Sequence, residues 1–70
     1  MPAIIDPVPG KWYWTLNDWP DYGLEVWARR DQWFSKPVHA QFNQGTPCWF
    51  GLDLSYDVAP HVFCQWKKYP

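Results

Sequence analysis

Seventy residues carrying a formal net charge of −1 and an isoelectric point of about 6.0 exclude a nucleic-acid binder that works mainly by neutralising phosphates, which would show a basic excess. The same balance is too weakly acidic for a global mimic of DNA. Aromatic residues make up 21% of the chain, seven of them tryptophan, and a domain of this length buries only about 60% of its unfolded surface, so some rings must build the core while others lie near the surface.

The chain opens Met1-Pro2-Ala3-Ile4-Ile5-Asp6-Pro7. There is no basic n-region, and Asp6 and Pro7 interrupt the apolar run before it becomes a signal-peptide core. No stretch approaches the roughly 20 apolar residues of a membrane span. The expectation is a soluble chain that begins at its own initiator Met, stays in the cytoplasm and has no membrane partner. Residues 1–10 lack periodicity and are rich in proline, which reads as an extended arm that lies on the domain through Ile4, Ile5 and Val8 or reaches a partner. Residues 11–70 form a single small globular domain.

Residues 11–16 predict the first strand, because aromatic and β-branched side chains suit a pleated surface. Alternation places Trp12, Trp14 and Leu16 on one face, read as inward, and Lys11, Tyr13 and Thr15 on the other. Asn17 to Gly23 is a loop of turn formers holding Trp19 and Pro20. Residues 24–34 read as strand–turn–strand, with Leu24, Val26 and Ala28 inward, Glu25, Trp27 and Arg29 outward, and a turn near Arg30-Asp31. A helix would pair Glu25 with Arg29 at i,i+4 but leaves Val26 and Trp33 off its apolar stripe.

The clearest hairpin runs from Val38 to Tyr56, with strands at 37–43 and 48–55 joined through Asn43-Gln44-Gly45-Thr46-Pro47. Val38, Ala40 and Phe42 face inward, followed by Cys48, Phe50, Leu52 and Leu54, leaving Trp49, Gly51 and Asp53 outward. At the C-terminus a period of 3.6 collects Val58, Ala59, Val62, Phe63 and Trp66, with Asp57 as N-cap and Lys67 and Lys68 suiting the helix dipole. Period two instead groups Val62, Cys64 and Trp66 on a strand. The helix has the better count and is the expectation.

The fold class is therefore small α+β or all-β: a compact antiparallel sheet of about four strands (11–16, 24–29, 37–43, 48–55) with a C-terminal helix, or with a fifth strand closing a small barrel. Its expected core is Trp12, Trp14, Leu24, Val26, Phe42, Phe50, Leu52 and Trp66.

No motif points to catalysis, and the chain reads as a non-enzyme. Neither Cys48 nor Cys64 sits in a setting that favours a thiolate, and both read as small buried hydrophobes in a reducing compartment. A disulfide is the alternative, adding roughly 3 kcal/mol by loop closure. Asp18 and Asp21 flank Pro20 and read as turn formers rather than a catalytic pair. His39, Cys48, His61 and Cys64 lack the paired Cys-x-x-Cys knuckles of a structural zinc site, and the four scattered glycines form no phosphate-binding loop. No cofactor and no metal is expected.

The sharper signal is the outward aromatic set: Trp27 and Trp49 with Tyr13, Arg29 and Arg30, a composition found in the hot spots of protein interfaces. The bland explanation is that these rings form a second small core on a covered sheet. The functional explanation is an exposed patch that docks a protein or protein complex, which makes the chain an accessory or inhibitor protein. By analogy alone, such a chain suits a phage or mobile-element product that blocks a host machine. Carbohydrate is the second partner class, with rings stacking on sugars while Gln41, Asp53 or Gln65 bind hydroxyls. Single-stranded nucleic acid is third, since Arg29, Arg30, Lys67 and Lys68 form two short basic clusters rather than a long stripe.

Overall fold

The computed structural model describes residues 3–30, 36–51 and 53–70. Its strands are β1 (Ala3–Ile4), β2 (Tyr13–Trp14), β3 (Trp19–Pro20), β4 (Val26–Arg29), β5 (Val38–Asn43), β6 (Cys48–Phe50) and β7 (Gln65–Lys68), with a 3₁₀ turn over Pro60–Val62. An antiparallel five-stranded sheet runs in the order β2-β7-β4-β5-β6, and β1 pairs with β3 in a separate parallel two-stranded ribbon. Among the described residues there is no α-helix, and the sheet stays open rather than closing into a barrel.

The β5–β6 hairpin forms where the sequence places it, although β6 ends at Phe50 rather than at residue 55, just before Gly51 takes a positive φ. Asn43 pairs with Cys48, and the Asn43 Oδ1 accepts the backbone N–H groups of Gly45 at 3.0 Å and Thr46 at 3.3 Å. This is the local side-chain-to-backbone bonding that makes Asn a turn residue. Val26, Ala28, Ala40 and Phe42 are buried as the alternation of β4 and β5 requires. Full burial of a side chain such as Val26 or Phe42 contributes about 1.5–3 kcal/mol.

The C-terminal helix is not formed. Residues Gln65–Lys68 make the strand between β2 and β4, with Trp66 opposite Tyr13 on one side and Ala28 on the other. Val, Phe, Cys and Trp are mediocre helix formers, and a central strand satisfies the backbone on both edges. Pro60 ends up in the short 3₁₀ turn.

Two strands turn over relative to expectation. In β2 the buried residues are Tyr13 and Thr15, whereas Trp14 is 54% exposed and Trp12 is half-buried on the opposite face. The inward face is the more polar one because its hydroxyls find partners: Thr15 Oγ1 donates to the Phe63 carbonyl at 2.7 Å, and Tyr13 Oη accepts the Val8 N–H at 2.9 Å. In β6 the buried residue is Trp49, with Cys48 and Phe50 half-buried. Pairing of Asn43 with Cys48 puts Trp49 opposite Phe42, and residues opposite each other share a face.

The core is therefore Tyr13, Val26, Ala28, Ala40, Phe42, Trp49, Phe63 and Trp66, with Leu24, Trp19 and Ile4 packed at its margin. Of the expected core, Val26, Phe42 and Trp66 are fully buried, Phe50 is half-buried, Trp12 and Trp14 lie on the other face, and Leu52 falls outside the described residues. So do Trp33 and the strand expected after the Arg30-Asp31 turn.

Irregular segments cover the core side of the sheet. The Trp66 indole N–H donates to the Asp18 carbonyl at 2.7 Å, and the Trp49 indole N–H to the Pro60 carbonyl at 3.1 Å. Buried indoles need such acceptors. The N-terminal residues dock here too: Ile4 packs at the core margin and Pro7 is fully buried, while Ile5 and Val8 stay exposed.

Candidate functional site

The sheet's second face follows from the same register. Arg29 and Trp14 flank Gln65, Lys67 and His39 flank Trp27, and Gln41 lies opposite Phe50. Trp12 precedes Tyr13 and falls beside Lys67. Among the described residues, no helix and no second sheet is layered on this face.

Trp12 is the organising ring. The Arg29 guanidinium lies 3.7 Å from its centroid and the Lys67 ammonium 5.0 Å from it. Cations over an indole face are attracted by its quadrupole, typically by about 0.5–1 kcal/mol at exposed sites. Arg29 is held a second time, because its Nε donates to Gln65 Oε1 at 2.9 Å, and Gln65 is only 6% exposed. A stacked and hydrogen-bonded guanidinium has little side-chain freedom left to lose on binding.

Trp27 sits next to this cluster. Its ring tilts against Tyr69 at 4.9 Å, and Tyr69 stacks on His39 at 4.1 Å. Trp27, Lys36, Pro37 and Lys67 line an open cleft of about 320 Å³. At the far end His39 Nε2 lies 2.8 Å from Glu25 Oε1, though misaligned for a hydrogen bond. The His39 backbone N–H donates to Asp53 Oδ2 at 2.8 Å.

The five residues expected to form one outward patch are thus divided. Trp27 and Arg29 lie together on the open face. Tyr13 and Trp49 belong to the core, at 8% and 0% exposure. Arg30 is exposed but lines a different cleft of about 560 Å³ with Asp53, Tyr56 and Asp57. The sequence pattern puts Trp12 in the core and offers Gln65 and Lys67 only to sugar and nucleic acid, so their place beside Trp27 and Arg29 comes from the register of β2, β7 and β4.

Cys48 and Cys64 are free thiols, the first half-buried and the second exposed. Desolvation pushes the Cys48 thiol above its usual pKa, helped by the Asp57 carboxylate, which is opposite to the shift that activates a thiol nucleophile. Cys64 and His61 border a cleft of about 220 Å³ with Trp14, Leu16 and Phe63. Asp21 accepts from the Gln44 amide at 3.3 Å, and Asp18 serves through its backbone carbonyl. Among the described residues, no three His, Cys, Asp or Glu side chains gather as metal ligands, and no helix is long and apolar enough to cross a membrane.

No protein-family model, curated protein or solved structure matches the chain.

Proposed function

We propose that this chain is a non-enzymatic binding module that docks on another protein or protein complex, as an accessory or inhibitor, through the open face of its sheet. One observation carries the reading: Trp12, Trp14, Trp27, Arg29 and Lys67 share a face that no other element of the described residues covers, while the opposite face carries the buried core. Tryptophan and arginine are the residues most enriched in interface hot spots, and a protein exposes such rings at the risk of aggregation unless a partner covers them.

The competing uses are weaker. Of the groups suited to sugar hydroxyls, the Asp53 carboxylate accepts the His39 N–H and the Gln65 amide oxygen accepts from Arg29. A nucleic-acid strand would need cations along its track, and Arg29 and Lys67 converge on a single ring. The two free thiols suit action in a reducing compartment.

The test places a photo-cross-linking residue at position 14, on the open face, or at position 56, outside it, and exposes the full chain to extract of cells that naturally make it. Position 14 is expected to capture one partner, and Trp27→Ala to abolish that capture while the fold survives. Equal capture from both positions, unaffected by Trp27→Ala, would overturn the reading.

A further inference from the structure

Resting on that docking reading, we infer that the partner presents an acidic peptide segment, with carboxylates seated at Arg29 and Lys67 and an apolar side chain placed over Trp27. The surface is complementary in charge to such a segment. Arg29 and Lys67 both lie over Trp12, and Lys36 and Lys67 both border the cleft beside Trp27. Lys67 therefore belongs to both features and joins them into one cationic strip with aromatic floors.

Nothing described within the chain discharges that strip. Among the described residues the one ion pair is His39 with Glu25, and no carboxylate lies within ion-pair distance of Arg29 or Lys67. The planar guanidinium matches a carboxylate with two parallel hydrogen bonds. Here its Nε is already committed to Gln65 and its plane to Trp12, so its orientation is fixed before a ligand arrives.

The strip is also bounded. Glu25 lies beyond Trp27 on the same face, beside His39 and Gln41. A continuous phosphate chain crossing the face would meet that carboxylate, whereas a short acidic stretch ends before it. An acidic peptide fits this surface better than single-stranded nucleic acid.

The experiment uses the full isotope-labelled chain and follows its indole N–H resonances by NMR. The probes are a synthetic peptide of alternating Glu and Leu, the same peptide with Gln replacing Glu, and oligothymidylate. The Glu peptide is expected to shift the Trp12 and Trp27 indoles while leaving Trp49 and Trp66 in place. The Gln peptide should bind about tenfold more weakly or worse, a difference of about 1.4 kcal/mol, and added salt should weaken the Glu peptide. An Arg29→Gln, Lys67→Gln double variant, with its Trp49 and Trp66 signals unmoved as proof of folding, should lose the preference for Glu over Gln.

Equal binding of the Glu and Gln peptides, or tighter binding of oligothymidylate, would overturn the inference. The parent reading fails separately. If Trp27→Ala abolishes cross-linking to the natural partner but the double charge variant does not, the face docks a partner that is not acidic. If neither variant affects cross-linking, the docking face itself is wrong.

Discussion

Trp49 and Trp27 are both tryptophans on strands, yet their surroundings assign them different work. Trp49 meets Phe42 and Phe63 edge-on and is fully buried, with its indole N–H on the Pro60 carbonyl. Trp49→Ala should cost about 3–5 kcal/mol, measured as a fall in urea midpoint at constant slope. Trp27 touches Tyr69 and stays half-exposed, so Trp27→Ala should cost well under that. Gly51 has φ of +150°, and a Cβ there would stand 3.1 Å from the Ala40 Cα and the His39 carbonyl oxygen. Both neighbours are backbone, and the φ is one that residues with a Cβ rarely adopt, so Gly51→Ala should destabilise by on the order of 1–3 kcal/mol. At Cys48, burial and then Asp57 raise the thiol pKa, which lowers the thiolate fraction at any pH below it. Alkylation of Cys48 should therefore accelerate as pH rises, and Asp57→Asn should move that acceleration to lower pH. Peptide mass spectrometry of the alkylated protein reads both.

At the level of elements, the two-residue ladder of β2 is supplemented by two side-chain hydroxyls and by the Thr15 N–H, which donates to the Cys64 carbonyl at 2.8 Å. Tyr13 stacks on Trp66 at 4.8 Å and accepts the Val8 N–H through its hydroxyl, which ties the N-terminal residues to the sheet. Tyr13→Phe keeps the stack and removes the acceptor. It should cost about 0.5–1.5 kcal/mol and speed hydrogen exchange at the Val8 amide, with the β5 amides unaffected. The strands that could be read from sequence are those where both faces agree with the alternation. In β4 and β5, Val26, Ala28, Ala40 and Phe42 alternate with Trp27, His39 and Gln41, and the inward set is the smaller and more aliphatic. In β2 the apolar bias points the wrong way, since Trp12, Trp14 and Leu16 outweigh Tyr13 and Thr15, and only the distant Phe63 carbonyl makes burial of Thr15 favourable. The β6 face was within reach. A hairpin closed by Asn43 and Cys48 forces Trp49 to share the face of Phe42, an arithmetic that overrides the local pattern of Cys48, Phe50 and Leu54. For β7 the period of 3.6 has the better count in the residues themselves, and pairing with both β2 and β4 overrides it. The Trp12–Arg29–Lys67 cluster draws on three separate segments, so no local pattern could assemble it.

Among the described residues the sheet is covered on one face only. Loops, the β1–β3 ribbon and the 3₁₀ turn cover one face, and the other carries a cationic aromatic strip bounded by Glu25. This division explains where six of the seven tryptophans go, Trp33 lying outside the described residues. Trp49 and Trp66 supply the core, Trp19 tilts against Phe42 at its edge, and Trp12, Trp14 and Trp27 form the open face. The central claim is that this open face is where the partner sits. Hydroxyl-radical footprinting of the free chain and of the purified complex with its natural partner tests it most directly. Trp12, Trp14 and Trp27 are expected to be oxidised in the free chain and protected in the complex, with Trp49 and Trp66 protected in both. Trp12, Trp14 and Trp27 remaining as reactive in the complex as in the free chain would contradict it.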